Sequence, residues 1–291
     1  MRLSVAPTGY GRAVAIDLRA TLRDLVRAVL RAMRERDLAL HAAAVTFYGG
    51  IALVPAAVLT IRLAALLAGP ERVSDLAGGP VGAVPGALGA DRAAGALVRA
   101  GVSLGWIQAL VALVPATLYG EGLRRAFASL SRPPDQPREP VRGWQGRLLV
   151  LPLFAAGPGL LLVLLLVLPV AAALLERGGW TGFGGVVVSF LTVWVVLSAL
   201  LTWVYRIVGP ARPEWVACSV GATLTAANLS GFAHGFVLFW AIPVDLGYPF
   251  GGFDVVGAVV AVALWLYLLH SIALIGYVAT TRTYADLHGV G

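Results

Sequence analysis

Six long apolar runs, each close to the length of a membrane-spanning helix, constrain this chain more than any other feature. They cover approximately residues 42–68, 102–119, 148–175, 186–208, 215–242 and 255–281. A hydrocarbon layer of about 30 Å needs roughly 20 apolar residues of helix, because each residue adds about 1.5 Å. Within lipid the backbone must satisfy its own hydrogen bonds, which favours helices over open sheets. We therefore predict an all-α integral membrane protein with a bundle of six transmembrane helices.

The composition agrees with a membrane protein and excludes most soluble classes. Hydrophobic residues make up 59% of the 291 residues and charged residues only 13%, against about 45–50% and about 25% in soluble proteins. The single cysteine, Cys218, cannot form an internal disulfide or supply a cysteine cluster for a metal. Soluble-enzyme motifs are missing, and the four histidines have no metal-ligand spacing. The sequence therefore predicts no enzyme activity, no cofactor and no metal site.

The basic residues indicate how the chain is oriented in the membrane. All 22 basic residues are arginine, and the net charge is +7. With six spans, 17 arginines fall on one side of the membrane and four on the other, while Arg62 lies within the first span. Cytoplasmic loops carry the excess of basic residues, so we predict a bacterial inner-membrane protein with cytoplasmic N and C termini. Topology alone explains the positive charge, and no basic stretch has the features of nucleic-acid binding.

A basic amphipathic helix is predicted before the first span, over residues 14–38. Apolar residues recur at three- and four-residue steps from Leu18 to Met33. Such a helix lies at the headgroup plane and contacts anionic lipids, although an ordinary helix packed beneath the bundle is the alternative. We divide the chain into a cytoplasmic basic segment (1–40), a membrane domain (41–282) and a cytoplasmic tail (283–291). The candidate headgroup contacts are Arg19, Arg23, Arg27 and Arg31.

Polar residues within the apolar runs are the candidates for a substrate pathway. A charge at mid-bilayer costs about 2.5–3.5 kcal/mol, so an arginine there either snorkels or pairs, or belongs to such a pathway. The fifth run is the least apolar, and its polar residues fall on two sides of the helix, which predicts a position in the middle of the bundle. These groups either bond to neighbouring helices or line a hydrated cavity. The candidates are Arg62, Gln108, Thr223, Asn228, Ser230, His234 and His270.

Several short motifs occur in the order and spacing of a known family. His41 to Tyr48, followed by Leu53-Val54-Pro55, resembles the AA-x-TYY-x-LL-x-x-P opening of the YihY/BrkB family of bacterial inner-membrane proteins, once labelled ribonuclease BN. Similar matches surround Trp106, Tyr205-Arg206 and Trp265. The chain departs from the family at Val278, where the family often has a glutamate. The resemblance implies a six-helix cytoplasmic-membrane protein of a family usually described as transporters.

Together these observations predict a transporter or flippase-like protein for an amphiphilic or anionic solute, with its path beside the fifth helix. The alternative is a non-transporting organiser of the cell envelope, whose basic segments bind partners or anionic lipid. A ribonuclease is disfavoured because catalytic residues are lacking. The Gly/Pro-rich segments 69–101 and 241–253 are further candidates for contact with a solute or with the cell envelope. The apolar stretch 80–86 within the first is too short to span, so we expect it to lie on the outer surface or to dip inward.

Overall fold

Long helices account for most of the chain that is described by the computed structural model, which covers residues 2–3, 16–17, 27, 37–83, 90–131, 142–240 and 245–288. A π-helical turn, Val204–Val208, follows the sixth helix, and a 3-10 turn, Tyr248–Phe250, precedes the last one. The helices of this part of the chain are α1 (Leu38–Ala68), α2 (Pro70–Ala83), α3 (Ala90–Val102), α4 (Trp106–Ser131), α5 (Trp144–Glu176), α6 (Gly179–Trp203), α7 (Trp215–Trp240) and α8 (Asp254–His288).

Five helices in the described residues are long and apolar enough to cross a membrane. They are α1, α5, α6 with its π-helical turn, α7 and α8. Helix α4 has 26 residues, but its second half carries Glu121, Arg124 and Arg125, which makes it more polar than the others. The prediction of a helical, multi-span membrane protein is confirmed, whereas the count of six spans stays a prediction. Each of the six apolar runs overlaps one of these long helices, with ends that differ by several residues.

The long helices form a ring in which each packs against the next. Helix α1 contacts α4, which is followed around the ring by α5, α6, α7 and α8, and α8 returns to α1. Helix α1 also contacts α5 and the shorter α2 and α3, so it contacts more helices than any other long helix. Helix α7 packs mainly on α6 and α8, and its third side, with Val216, Val220 and Leu224, is exposed. The expectation that the fifth run lies in the middle of the bundle is therefore wrong.

One end of the bundle gathers the beginnings of α1, α5 and α7 and the ends of α4 and α6, together with the C-terminal half of α8. We call it the basic end. Arg147, near the start of α5, pairs there with Glu121 of α4. The Phe127 ring lies 4.0 Å from that of Tyr277, measured between centroids. A buried apolar cluster joins α1, α4, the π-helical turn, α7 and α8. Each contributes one of its central residues, which are, in that order, Leu38, Phe127, Tyr205, Cys218 and Tyr277.

Helices α4 and α5 cross at two glycines, Gly120 and Gly146. A Cβ atom on either glycine would overlap the backbone of the other. Helices in lipid have no hydrophobic force that drives them together, so close approach at small residues is a main source of their association. These two glycines therefore fix how α4 lies on α5, and they bring the polar second half of α4 next to the start of α5.

The segment 69–101 contains two helices, which sequence analysis missed because of its Gly and Pro content. Pro70 opens α2, at a position where the missing N–H has no helical partner to lose. Helices α2 and α3 pack on each other and on α1, and α2 also reaches α5. A second apolar cluster, with Ile61 and Val73 at its centre, anchors this hairpin at the end of the bundle opposite the basic end.

The predicted N-terminal amphipathic helix falls almost entirely outside the described residues, and so do Arg19, Arg23 and Arg31. Arg27 is helical and exposed. Ile16–Asp17 instead forms a short antiparallel pair with Arg2–Leu3, so a helix that begins at residue 14 is wrong. The extended pairing occupies backbone groups that a helix would need. At the other terminus, α8 continues to His288 and so includes most of the predicted tail, 283–291.

Candidate functional site

A buried histidine lies where α1, α4 and α8 meet. His270 Nδ1 is 3.1 Å from Thr46 Oγ1, and His270 Nε2 is 3.0 Å from the Tyr119 hydroxyl. The Thr46 hydroxyl donates to the Ala42 carbonyl at 2.8 Å, which leaves its oxygen as the acceptor for Nδ1–H. Nε2 of the neutral ring then accepts from Tyr119. Both ring nitrogens are satisfied, and we call Thr46, Tyr119 and His270 the His270 triad.

Gly49 provides the space for this ring. A Cβ atom there would come within 3.1 Å of His270 Cε1, tighter than nine in ten Cβ contacts, so the ring would have to shift. Gly49 lies one turn along α1 from Thr46, on the same side of the helix. The motif at the start of α1 thus supplies both a hydroxyl and an open position to the histidine. Sequence analysis singled out His270 but missed its partners, although Thr46 belongs to the motif that it quoted.

The polar groups on one side of α7 bond to α6. His234 Nδ1–H donates to the Ser230 carbonyl at 2.8 Å, and its Nε2 lies 2.9 Å from Ser189 Oγ of α6. The Ser230 hydroxyl donates to the Phe190 carbonyl at 3.0 Å. Closer to the start of α7, the Thr223 carbonyl accepts a hydrogen bond from Trp194 Nε1–H of α6 at 2.8 Å. Within the described residues, these groups therefore fasten α7 to α6.

A groove of about 540 Å³ lies between α7 and α8, away from α6. Its one polar side chain is Asn228, which is exposed and donates to the Leu224 carbonyl at 2.9 Å. Gly231 faces open space, and the Gly235 position lies against Trp265. We call this feature the Asn228 groove. It is lined by Ala227, Asn228, Gly231, Phe232, Gly235 and Trp265.

Aromatic rings surround Trp265 of the groove. Its ring centroid lies 6.0 Å from that of Phe232 and 5.2 Å from that of Phe236. Phe232 and Asn228 are both exposed, so the groove opens sideways from the bundle, toward the region that lipid would occupy. An apolar, aromatic lining with a single amide can hold a molecule that has an acyl or ring portion and one polar group.

Arg62 and Gln108 lie at the hairpin end of the bundle. One amino group of Arg62 donates to the Val102 carbonyl at 3.0 Å, at the end of α3. The Arg62 guanidinium also lies 5.7 Å from the centre of the Trp106 ring. A helix C-terminus carries partial negative charge, so this position suits a cation. Gln108 is exposed and folds back over Gly105, where a Cβ atom would overlap its Oε1.

A polar cluster at the basic end was missed by sequence analysis. Glu121, nearly buried, accepts from Arg125 Nη2 at 2.7 Å and from Arg147 Nε at 2.6 Å. Beside it, Arg124 donates to the Val208 carbonyl and to Gln145 Oε1, both at 2.9 Å. The spacing of Glu121 and Arg125, four residues apart on one helix, is the signal that could have indicated half of this cluster.

The seven residues predicted as pathway candidates do not form one site. Ser230, His234 and the Thr223 backbone face α6, Asn228 lines the groove toward α8, and His270 lies in its triad with α1 and α4. Arg62 and Gln108 stand at the hairpin end. Contact of these residues with a solute stays a prediction. The groove at Asn228 and the triad at His270 are the two arrangements in which a candidate has specific surroundings.

Apolar helices in a closed ring, joined by polar contacts between helices, define a multi-span helical membrane protein. Among the described residues, no three His, Cys, Asp or Glu side chains are grouped so that they could hold a metal ion. Residues 29–287 match the family model described as virulence factor BrkB, and the chain belongs to this family. The resemblance drawn from its motifs is confirmed. Neither a curated protein nor a solved structure matches the chain.

Proposed function

We propose that this protein is a transporter or flippase-like protein of the bacterial inner membrane, and that an amphiphilic solute passes beside α7. The Asn228 groove carries the proposal. Its apolar lining suits an acyl or ring portion, and the Asn228 amide suits a polar group held at membrane depth. A small hydrated anion would need a more polar lining, because polar groups without partners are costly in lipid. Of the two solute classes expected from the sequence, the groove favours the amphiphilic one.

The other side of α7 supports the same proposal. The contacts of Ser230 and His234 with α6 hold that face in place. On the groove side, Gly231 offers no side chain and faces open space. A helix that is fastened on one face and open on the other leaves a lateral entrance of fixed shape. A lipid-like molecule could enter it from the bilayer without first passing through water.

We further propose that α4 is the sixth span and that both chain termini are cytoplasmic. The arrangement of the basic end supports this, because α1, α5 and α7 begin there and α4, α6 and α8 end there. The chain therefore returns to the same end after every second long helix. Among the described residues, the basic end carries seven arginines and the hairpin end five, and the five lie beside the acidic Glu71, Asp75, Asp91 and Glu176. The seven are Arg124, Arg125, Arg142, Arg147, Arg206, Arg212 and Arg282. Cytoplasmic surfaces of inner-membrane proteins have this excess of basic residues.

The test is translocation by purified protein in liposomes of phosphatidylcholine and phosphatidylglycerol. A fluorescent phospholipid placed in one leaflet reports flipping, and an amphiphilic dye trapped inside reports export. Gly231→Leu places a side chain in the groove and is expected to slow translocation severalfold. Asn228→Ala removes the amide and is expected to change the preference among headgroups or dyes.

Gly50→Leu is the matched control, since Gly50 is also a helical glycine that faces open space. It should translocate at the wild-type rate. If Gly231→Leu and Gly50→Leu behave alike, the path does not run through the groove. If folded wild-type protein moves neither probe, the transporter proposal fails, and the non-transporting organiser of the cell envelope becomes the better account.

A further inference from the structure

Three arginines from separate elements converge on residues 208–214, which comprise the last residue of the π-helical turn and the turn that leads to α7. Arg206 donates to the Arg212 carbonyl at 3.3 Å, and Arg124 of α4 donates to the Val208 carbonyl at 2.9 Å. Arg212 belongs to the turn itself, and its charge repels that of Arg124. Like charges are thus held close together by contacts with the backbone of one short segment.

The hydrogen bonds of these arginines are to neutral oxygens. Among the described residues, ion pairs join Glu121 to Arg125 and to Arg147, and none joins a carboxylate to Arg124, Arg206 or Arg212. Glu214 lies on the same turn but is exposed and pairs with none of the three. This part of the basic end therefore has an excess of positive charge that the described carboxylates do not balance.

Arg206 and Arg212 also retain unused donors. A guanidinium has five N–H groups. Arg206 lies over the Trp215 ring at 5.5 Å, and its Nε is buried without a hydrogen-bond partner in the described structure. Arg212 is exposed, and its side chain makes no hydrogen bond with described residues. Its backbone has φ 47°, in the left-handed region that non-glycine residues rarely adopt, and it precedes Pro213, which disfavours helical conformations further.

We propose that Arg206, Arg212 and Trp215, with Arg124 behind them, bind a phosphate group at the membrane surface. The planar guanidinium fork matches two phosphate oxygens, and stacking on Trp215 holds one fork in orientation. Trp215 is half exposed at the start of α7, and tryptophan is a residue that membrane proteins place at the headgroup level. The ligand is the phosphate of an anionic phospholipid headgroup or that of a soluble phosphate ester. The site does not depend on transport through the Asn228 groove.

The experiment measures thermal unfolding of the purified full-length protein in detergent with increasing amounts of one probe. The probes are phosphatidylglycerol, sn-glycerol 3-phosphate and, as a zwitterionic comparison, phosphatidylcholine. A ligand that binds the folded state raises Tm in a saturable way. We expect Arg212→Gln to weaken the apparent affinity about tenfold, as expected for the loss of hydrogen bonds to a charged group. Its side chain makes no described contact, so the fold is retained.

Arg206→Lys and Arg282→Gln complete the design. Arg206→Lys keeps the charge but loses the fork, and it should weaken binding as well. Arg282→Gln changes the net charge as Arg212→Gln does, at an exposed position of α8 without described contacts, and should bind as wild type.

A response to phosphatidylglycerol alone assigns a lipid headgroup, and a response to glycerol 3-phosphate assigns a soluble ester. Equal losses in Arg212→Gln and Arg282→Gln, or no response of the wild type to either phosphate probe, would overturn the proposal. The translocation assay in liposomes tests the Asn228 groove and not this phosphate site, so the two proposals can fail independently.

Discussion

The hydroxyl of Tyr119 and Nε2 of His270 lie 3.0 Å apart, although 151 residues separate them along the chain. With Thr46 on the other ring nitrogen, this bond connects α1, α4 and α8. Two of these helices are adjacent to α1 in the ring, and α1 contacts more helices than any other long helix. Polar bonds and close small-residue contacts specify helix packing in lipid, because burial of apolar surface does not distinguish neighbours from lipid. The His270 triad therefore helps define which helices surround α1.

Tyr119→Phe should destabilise the folded protein by about 0.5–1.5 kcal/mol, the range expected for an interhelical hydrogen bond in a membrane. The substitution keeps the ring and leaves Nε2 of His270 without its donor. Thermal unfolding in detergent measures the effect. Tyr248→Phe is the control, because Tyr248 is 83% exposed. Equal Tm values for the two variants would mean that the hydrogen bond between Tyr119 and His270 contributes nothing to stability.

Gly120→Ala should destabilise the crossing of α4 and α5, because the added methyl group overlaps the Gly146 backbone. Overpacking of this kind costs about 1–3 kcal/mol, and a rigid backbone on the other side leaves little room to adjust. Size-exclusion chromatography and the Tm of the purified protein report the loss. Gly184→Ala, on α6 with open space around the glycine, should leave both unchanged. Normal behaviour of Gly120→Ala would show that the two helices are farther apart than described.

The elements that could be predicted from the sequence are those that depend on the hydrophobicity of one continuous stretch of residues. Apolar runs of membrane length indicated the long helices, and their order along the chain was correct. Partners across the bundle could not be predicted, since single polar residues in apolar runs carry no information on which helix they face. His234 was singled out, but Ser189, its partner 45 residues away, was not.

The two-sided polar pattern of the fifth run was interpreted as central burial, and that interpretation failed for a physical reason. Ser230 and His234 bond to one neighbour, while Thr225 bonds to the Gly221 carbonyl of its own helix, next to α8. A polar group can thus be satisfied by one adjacent helix or by its own backbone. Two neighbouring helices are enough, and the third side of α7, with Val216, Val220 and Leu224, remains exposed.

Arg62→Leu should loosen the hairpin end of the bundle. The change removes the bond to the Val102 carbonyl and the contact with Trp106. We expect faster hydrogen exchange at the end of α3, around residues 99–103, and a loss of about 1 kcal/mol in stability. Arg99→Leu, at an exposed position of α3, is the control variant. In the liposome assay, an unchanged translocation rate in folded Arg62→Leu would remove Arg62 from the substrate pathway.

Glu121→Gln should cost more stability than Arg125→Gln. The carboxylate is shared by two arginines, so its loss leaves both without a counter-charge at a nearly buried position. The Arg125 side chain is 52% exposed, and after its removal Glu121 keeps its contact with Arg147. Surface pairs within one helix contribute about 0.3–0.5 kcal/mol, and we expect Arg125→Gln to fall in that range. A double-mutant cycle with Arg147→Gln measures the contact between α4 and α5. A coupling energy of zero would contradict its role in joining these helices.

Cysteine labelling can test whether α4 crosses the membrane. The sole cysteine, Cys218, is buried, so Cys218→Ser provides a background without other thiols. Ser103 and Arg142 are exposed and lie on either side of α4 along the chain. With α4 as a span and a cytoplasmic basic end, Ser103→Cys should react with a membrane-impermeant maleimide in intact cells. Arg142→Cys should react only in inverted vesicles, because basic residues are retained on the cytoplasmic side. Labelling of both positions from the same side would place α4 on one side of the bilayer, and labelling in the reverse order would place the basic end outside.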